Sequence, residues 1–314
     1  MTLKPLRDEF GEALVNLGEE KSNVVVLDAD LSKATRSVFF KKKFPDRFIN
    51  VGIAEANMVS MAAGLSTCDL IPFACTFSFL IALRTTDQIR SQICYPNLNV
   101  KLVGSNGGLT GYGDGATHQC LKDISMMRSL PNMTVLVPSD ASHIHQAVRK
   151  AAEYWGPVFL RIPRVPGENI HAESETFEIG KGIQLREGTD LTLVASGLMV
   201  SRTLRAAAAL AKENIRAAVI EIHTIKPFDK ELIIANALKT GAVVTVEEHS
   251  VFGGLFSAVS EVLSNHCPVP VEYVAVEDRF GESGAYEELL EICGLTVENI
   301  LLKSKKALSR KKGA

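Results

Sequence analysis

Short β-branched runs alternate with helical patterns almost throughout this 314-residue chain, and no other feature restricts its fold as tightly. The first series runs "NVVVLDAD" (23–30), "LIPFACTF" (70–77), "NVKLVG" (99–104), "MTVLVP" (133–138) and "PVFLRI" (157–162). Helical stretches at 53–66, 82–94, 120–129 and 139–154 fall between them, and Ser139 or Asp140 is placed to cap the last. Such alternation predicts a mostly parallel sheet with helices on both faces, a doubly wound α/β fold. Proline, glycine and acidic residues then break the rhythm, and 166–189 reads as a linker between a unit at 1–165 and a smaller α/β unit at 190–314. The second unit repeats the pattern with "DLTLVAS", "RAAVIEI", "GAVVTVEE" and "VPVEYVAV". Ligands of parallel α/β sheets sit outside the carboxyl ends of the strands, so the loops 28–36, 76–80, 104–118 and 161–166 are where chemistry is expected.

Composition narrows the partners. With 46% hydrophobic residues, 22% charged residues and a net charge of −2, the chain suits a soluble protein of about two domains. Near-neutral charge argues against a dedicated nucleic-acid or membrane-surface binder, and the apolar runs are too short to span a bilayer. The opening "MTLKPLRDEFGEALVNLGEE" does not fit a signal peptide. Six cysteines without CxxC pairs read as reduced core thiols of a cytoplasmic protein and give a zinc site little support. The terminal "KSKKALSRKKGA" reads as a solvated end.

Within "NVGIAEANMVSMAAGL" (50–65), Glu55 shares a helical face with Met58, Val59, Ala62 and Ala63, and the other side holds only Asn57, Ser60 and Gly64. A buried, unpaired carboxyl tends to stay protonated, which makes Glu55 a candidate proton donor. After the third strand comes "SNGGLTGYGDGATHQ" (105–119), a glycine-rich loop closing on Asp114 and His118. Its glycines do not give the G-x-G-x-x-G spacing of a dinucleotide site. A purely structural loop remains an alternative, although it would not need Asp114 and His118 together. Phe77 and Phe79 at the end of a strand are by default core residues, and serve as a stacking platform only if a flat ring lies beside Glu55. His143 and His145 read as surface or boundary residues, and His249 as an interface or turn residue.

The order of "VLDADLSKAT", "FINVGIAEANM", "CTFSF…RTTDQIR", "GLTGYGDGATHQ", "PVFLRIPR" and "VEEHSVFGGL" resembles the thiamine-diphosphate enzymes of the transketolase family, and in particular the C-terminal subunit of a split transketolase. The resemblance implies a pyrimidine-binding domain followed by a transketolase C-terminal domain, and transfer of a two-carbon ketol unit from a ketose to an aldose. It implies that Glu55 hydrogen-bonds N1′ of the cofactor's aminopyrimidine and favours the imino tautomer, whose nitrogen takes the proton from the thiazolium. It also places Ile53, Phe77 and Phe79 at the cofactor, Asp114 and His118 at sugar hydroxyls and the reacting oxygen, and Arg164 and Arg7 at the substrate phosphate. Leu80 stands where the family has its second aromatic, with Phe79 beside it.

Three positions depart from the pattern. Asn106 stands where the family has a phosphate-contacting histidine, Ala34 replaces a serine, and Gly113 replaces a glutamate. The family's Mg²⁺ and diphosphate site pairs Gly-Asp-Gly with an asparagine some 25–30 residues later. The "GDG" at 113–115 belongs to the sugar loop, and 138–145 holds no asparagine. No metal ligand is therefore expected from this chain. An N-terminal partner subunit is expected to hold Mg²⁺ and the diphosphate, with self-association inside a heterotetramer. The alternatives are the β subunit of a 2-oxoacid dehydrogenase, whose loop lacks "DGATHQ", a deoxyxylulose-phosphate-synthase-like subunit, and a non-catalytic or regulatory paralogue.

Overall fold

The structure, a computed structural model, describes residues 4–172 and 175–312. Its strands are β1 (Val24–Asp28), β2 (Phe48–Asn50), β3 (Ile71–Phe77), β4 (Lys101–Ser105), β5 (Thr134–Leu136), β6 (Val158–Ile162), β7 (Ile183–Arg186), β8 (Leu191–Ala195), β9 (Ala217–Glu221), β10 (Thr224–Lys226), β11 (Val243–Ser250) and β12 (Val271–Val276). They form a seven-stranded sheet of order β10-β5-β6-β4-β3-β1-β2 and a five-stranded sheet of order β12-β11-β8-β9-β7. Every pairing is parallel except those of the edge strands β10 and β7.

Alternation along buried strands explains how both faces of the first sheet are covered. Val24 and Val26 point to a cluster with Leu6, Phe10 and Leu14 of the helix Leu6–Glu20, and with Ile144 and Val148 of the helix Ala141–Glu153. Val25 and Leu27 point the other way, to Met58, Val59 and Ala62 of the helix Glu55–Ser66. That second cluster continues into Val194, Ile220, Ile222 and Ile233, so one core joins the two sheets.

Three expectations are corrected. The linker read over 166–189 is shorter, because Ile183–Arg186 pairs as β7; with half-buried side chains and glycines at 180 and 182, this edge strand lacks the apolar run that marks the others. The helix expected at 82–94 is a pair of wide, π-type segments over Leu80–Arg84 and Ile89–Cys94, closed by i→i+5 bonds such as Tyr95 N to Arg90 O at 2.9 Å. The cap at 140 is as expected, with Asp140 Oδ1 accepting from the His143 N–H at 2.9 Å. His143, by contrast, is fully buried rather than at the surface. No described helix is long and apolar enough to cross a membrane, and four of the six cysteines are buried.

Lys101 is the unexpected resident of the core. Its ammonium donates to Asn99 Oδ1 at 2.6 Å and to the carbonyls of Tyr154 and Gly156, each at 2.8 Å, and burial pushes its pKa down to about 7. The acceptors of buried Asn99 and Gly156 gain little water if the nitrogen is removed, a loss that outweighs the relieved desolvation of the amine. Lys101→Met is therefore expected to destabilise the chain by about 2 kcal/mol, read as a lower urea midpoint at unchanged m-value; an unchanged midpoint would contradict this account.

Candidate functional site

Because β1, β3, β4 and β6 run parallel, their carboxyl ends lie side by side. Asp28 is in register with Cys75, Phe77 with Ser105, and Ser105 with Ile162. The four loops expected to carry chemistry therefore converge on one edge. Unpartnered buried polar atoms collect there too: Thr76 Oγ1, Ser105 Oγ and Asn106 Oδ1 have no hydrogen-bond partner among the described residues.

The floor of this edge is a buried charged network. Arg161, on β6, donates from Nε to Asp123 Oδ2 at 2.7 Å and from Nη2 to the Glu248 carbonyl at 2.9 Å. Asp123 Oδ2 also accepts from Ser78 Oγ at 2.6 Å. Glu248, at the end of the second sheet's β11, receives the Leu109 N–H at 2.6 Å and the Tyr286 hydroxyl at 2.7 Å; burial raises its pKa, against the nearby Arg161 and these two donors. The glycines of the loop exist to lie on this floor. A Cβ at Gly107 would sit 2.7 Å from Arg161, and one at Gly108, whose φ is +68°, would sit 2.4 Å from Glu248 Oε1.

Glu55 stands buried in the first turn of its helix, as the sequence pattern requires, but it is not unpaired. Its Oε2 accepts from Arg84 Nη1 at 3.0 Å. The expectation of an isolated acid is corrected: the partner comes from 29 residues downstream, across two elements, where helical periodicity cannot see it. Arg84 keeps 56% of its side chain exposed and so reaches in from solvent. The Glu55 helix packs on β3 and on the segment Leu80–Arg84. At the end of β3 the half-buried rings of Phe77 and Phe79 stack with centroids 6.2 Å apart, and His118 meets both edge-on at 6.0 and 5.1 Å. Leu80 is buried, leaving Phe79 as the second ring. Ile53, in the turn before the helix, is 79% exposed and joins none of these contacts.

At the rim, Arg164 Nη1 pairs with Asp114 Oδ2 at 3.0 Å, and its guanidinium lies 5.2 Å over the Tyr112 ring. Arg7 is largely buried; burial and then the charges of Arg36 and Arg164 lower its pKa, and its Nε has no hydrogen-bond partner. Asp28 shapes the neighbouring loop, its two oxygens accepting from Leu31 N, Thr35 Oγ1 and Ser37 Oγ at 2.6, 2.8 and 2.9 Å. Asn106 is buried with φ +59°, a left-handed conformation that asparagine takes more readily than most residues. Next to Phe79 opens a cavity of about 500 Å³, lined also by Thr117, Lys122, Arg279 and Phe280. The two clusters of metal-type side chains among the described residues, His143–His171–Glu221 and Glu9–Glu12–His145, do not include Asp114.

Sequence reasoning did not single out Arg84, Arg36, Asp123, Arg161 and Glu248 as a group. Their signal is a set of charged residues inside otherwise apolar strands and helices, which only the tertiary pairing makes readable.

Residues 4–166 match the family described as transketolase, pyrimidine binding domain, and residues 180–300 match transketolase, C-terminal domain. The chain belongs to the transketolase family. It is 42% identical over 306 residues to the 6-deoxy-6-sulfo-D-fructose transketolase subunit SqwH of Clostridium sp. strain MSTE9, covering 98% of this chain and 95% of that one. A transketolase C-terminal section from Methanocaldococcus jannaschii is 46% identical over 300 residues, covering 95% and 94%. A solved chain of a split gene transketolase, in an inactive β4 tetramer, superimposes with a TM-score of 0.92 at 48% identity, covering 98% and 99%. This transketolase chain thus corresponds to nearly the full length of these relatives.

The packing of its glycine loop yields a test. Gly108→Ala would force a side chain into the left-handed region and against Glu248, and is expected to cost about 2 kcal/mol of stability, seen as a lower thermal midpoint; Gly113→Ala, with nothing within 4 Å of the added carbon, is expected to leave the midpoint unchanged. Equal shifts for the two variants would contradict this packing argument.

Proposed function

We propose that this chain is the C-terminal subunit of a two-subunit, thiamine-diphosphate-dependent transketolase that moves a two-carbon ketol unit from a ketose to an aldose, in the cytoplasm and within a heterotetramer. The observation that carries the reading is the juxtaposition at the end of β3: a buried carboxylate whose one partner is a half-exposed arginine, on a helix packed against the strand that ends in the Phe77–Phe79 ring pair. A flat cofactor ring needs such a platform and such an acid, so the residues present fit the pyrimidine half of thiamine diphosphate. Glu55, Phe77 and Phe79 would hold that half, with Ile53 flanking them. When bound, thiamine diphosphate supplies the carbanion-stabilising chemistry of ketol transfer.

Each protein group then has a role set by its own position. Glu55 would hold a proton toward a ring nitrogen of the bound pyrimidine. To do so it gives up Arg84, which can withdraw into solvent at small cost because an exposed guanidinium retains most of its hydration. His118, edge-on to both phenylalanines, reaches the reacting oxygen, while Asp114 orients sugar hydroxyls. Arg164 and Arg7 grip the substrate's anionic end by forked hydrogen bonds, for which the unpartnered Arg7 Nε is available. Asn106 lines this rim with an amide where a histidine cation would favour phosphate. One relative is named for a sulfonated ketose, and a sulfonate carries a single negative charge where a phosphate carries nearly two. A less cationic rim suits the lower charge, and we include sulfonated as well as phosphorylated ketoses in the proposed substrate class. Residues 138–145 lack the asparagine that the family pattern pairs with Gly-Asp-Gly, which supports assigning Mg²⁺ and the diphosphate to an N-terminal partner subunit.

The deciding experiment titrates thiamine diphosphate and Mg²⁺ into the chain with and without that partner, by calorimetry. Tight binding only to the pair, and loss of about 100-fold or more in turnover in Glu55→Gln with assembly intact, are the expected results. Near-normal turnover of Glu55→Gln would remove the assigned role, and tight binding to the isolated chain would remove the shared site. Arg84→Met gives a separate readout. It deletes the donor that competes for Glu55, so the cofactor is expected to bind the assembled pair several-fold more tightly; weaker binding would instead make Arg84 part of the cofactor's own cradle.

A further inference from the structure

Where the helix Ala141–Glu153, the segment leading to β7 and the end of β9 meet lies a second polar cluster. His143, His171 and Glu221 are all buried, with the ligand-type atoms of all three within 4.8 Å of one another. Glu221 Oε1 lies 3.3 Å from His143 Nδ1, and Glu221 Oε2 lies 2.5 Å from His171 Nε2. Both His143 nitrogens and Glu221 Oε1 nevertheless lack an aligned hydrogen-bond partner, as does Nε2 of the neighbouring His223. Four buried polar atoms without a partner among the described residues are costly, since buried polar groups are normally paired.

We propose that His143, His171 and Glu221 bind a divalent transition-metal ion of the Zn²⁺ class. Two imidazoles and one carboxylate form a recognised donor set for such an ion, whereas Mg²⁺ and Ca²⁺ prefer oxygen donors throughout. The outer contacts match what such a site needs. His171 Nδ1 meets Glu175 Oε2 at 3.0 Å, which commits the Nδ1 proton to that carboxylate, so that an ion would bind at Nε2 by replacing the proton shared there with Glu221 Oε2. Asp140 holds both histidine-bearing segments by their backbones, accepting from the His143 N–H at 2.9 Å and the His171 N–H at 2.8 Å. The His143 and His171 rings lie stacked, centroids 3.5 Å apart and 9° from parallel. An ion in the plane of both rings requires one to turn; His143 has no side-chain hydrogen bond to break, and its turn would have to displace the packing of Phe177 and His223 against it. A surface cavity of about 410 Å³, lined by Asp140 and His171 among others, gives the ion a path in. The site joins a helix of the first sheet to a strand of the second, so its role is to staple the two.

The test uses the full chain without thiamine diphosphate. Addition of Co²⁺ is expected to produce the visible absorption of a low-symmetry cobalt–imidazole site at one ion per chain, and Zn²⁺ to displace it and raise the thermal midpoint by about 5 °C at saturating ion. Glu221→Gln and His143→Gln are expected to lose both signals, and His145→Ala to keep them. Absence of the absorption together with an unmoved midpoint for Co²⁺, Ni²⁺ and Zn²⁺ in the unaltered chain would overturn the proposal and leave a His171–Glu221 ion pair. Signals that survive in Glu221→Gln and His143→Gln but vanish in His145→Ala would also overturn it, by moving the ion to the half-buried Glu9–Glu12–His145 group.

Discussion

The buried pairing of Arg161 with Asp123 is the interaction on which the rest of the site depends. A fully desolvated ion pair adds little net stability, since the cost of leaving water offsets most of the attraction. Its contribution is geometric. Arg161 comes from β6, Asp123 from the helix after the glycine loop, Ser78 from the end of β3, and the Glu248 carbonyl from the second sheet. One guanidinium fork thus fixes the relative positions of four segments distant in sequence. Glu248 extends the network to the Leu109 amide and the Tyr286 hydroxyl, so the glycine loop is pinned from both sheets. Gly107 and Gly108 follow as a consequence: a backbone lying directly on Arg161 and Glu248 leaves no room for a Cβ.

That rigid floor contrasts with the edge above it. Below the loop every charged group has its partners; at the strand ends Thr76, Ser105 and Asn106 keep unsatisfied oxygens, Arg7 keeps an unsatisfied Nε, and Glu55 leans on an arginine that is half in water. In a native core such deficits are rare and costly. Their concentration at the carboxyl edge of a parallel sheet marks where a ligand would complete the hydrogen bonding, with the floor ensuring that the groups are held in place beforehand.

Much of this was legible in the sequence, for identifiable reasons. Strands buried on both faces leave runs such as "VVVLD" that nothing else imitates, and Asp140 announces its helix because a cap acts through the next three residues. Glu55 stood out for being charged on an apolar face, and its burial followed from that pattern. Arg84 could not be read, because a long side chain reaching back across two elements leaves no local trace. His143 misled for a related reason: beside His145 on a capped helix it resembles a boundary residue, and only the fold brings His171 and Glu221 against it. The edge strand β7 was lost in a linker because half-buried strands share the composition of loops.

The two polar clusters also differ in what they ask of their surroundings. Glu55 is buried in its helix yet partnered from solvent, so its partner can be exchanged without moving the backbone. Glu221 has both oxygens turned to imidazoles that are themselves buried, and burial alone would raise its pKa. The His171 hydrogen bond and the facing imidazoles of His143 and His171 prevail instead and bring it down to about 2, while His171, whose burial is likewise overcome by Glu221 and Glu175, rises to about 9. A carboxylate held so firmly in its charged form, with one oxygen still unaligned, is suited to permanent structural pairing and not to turnover. A carboxylate with an exchangeable partner at a ligand edge is suited to the reverse. The same residue type, at the start of an apolar helix in one case and at the end of an apolar strand in the other, would thus be suited to opposite work by whether its counter-charge can leave.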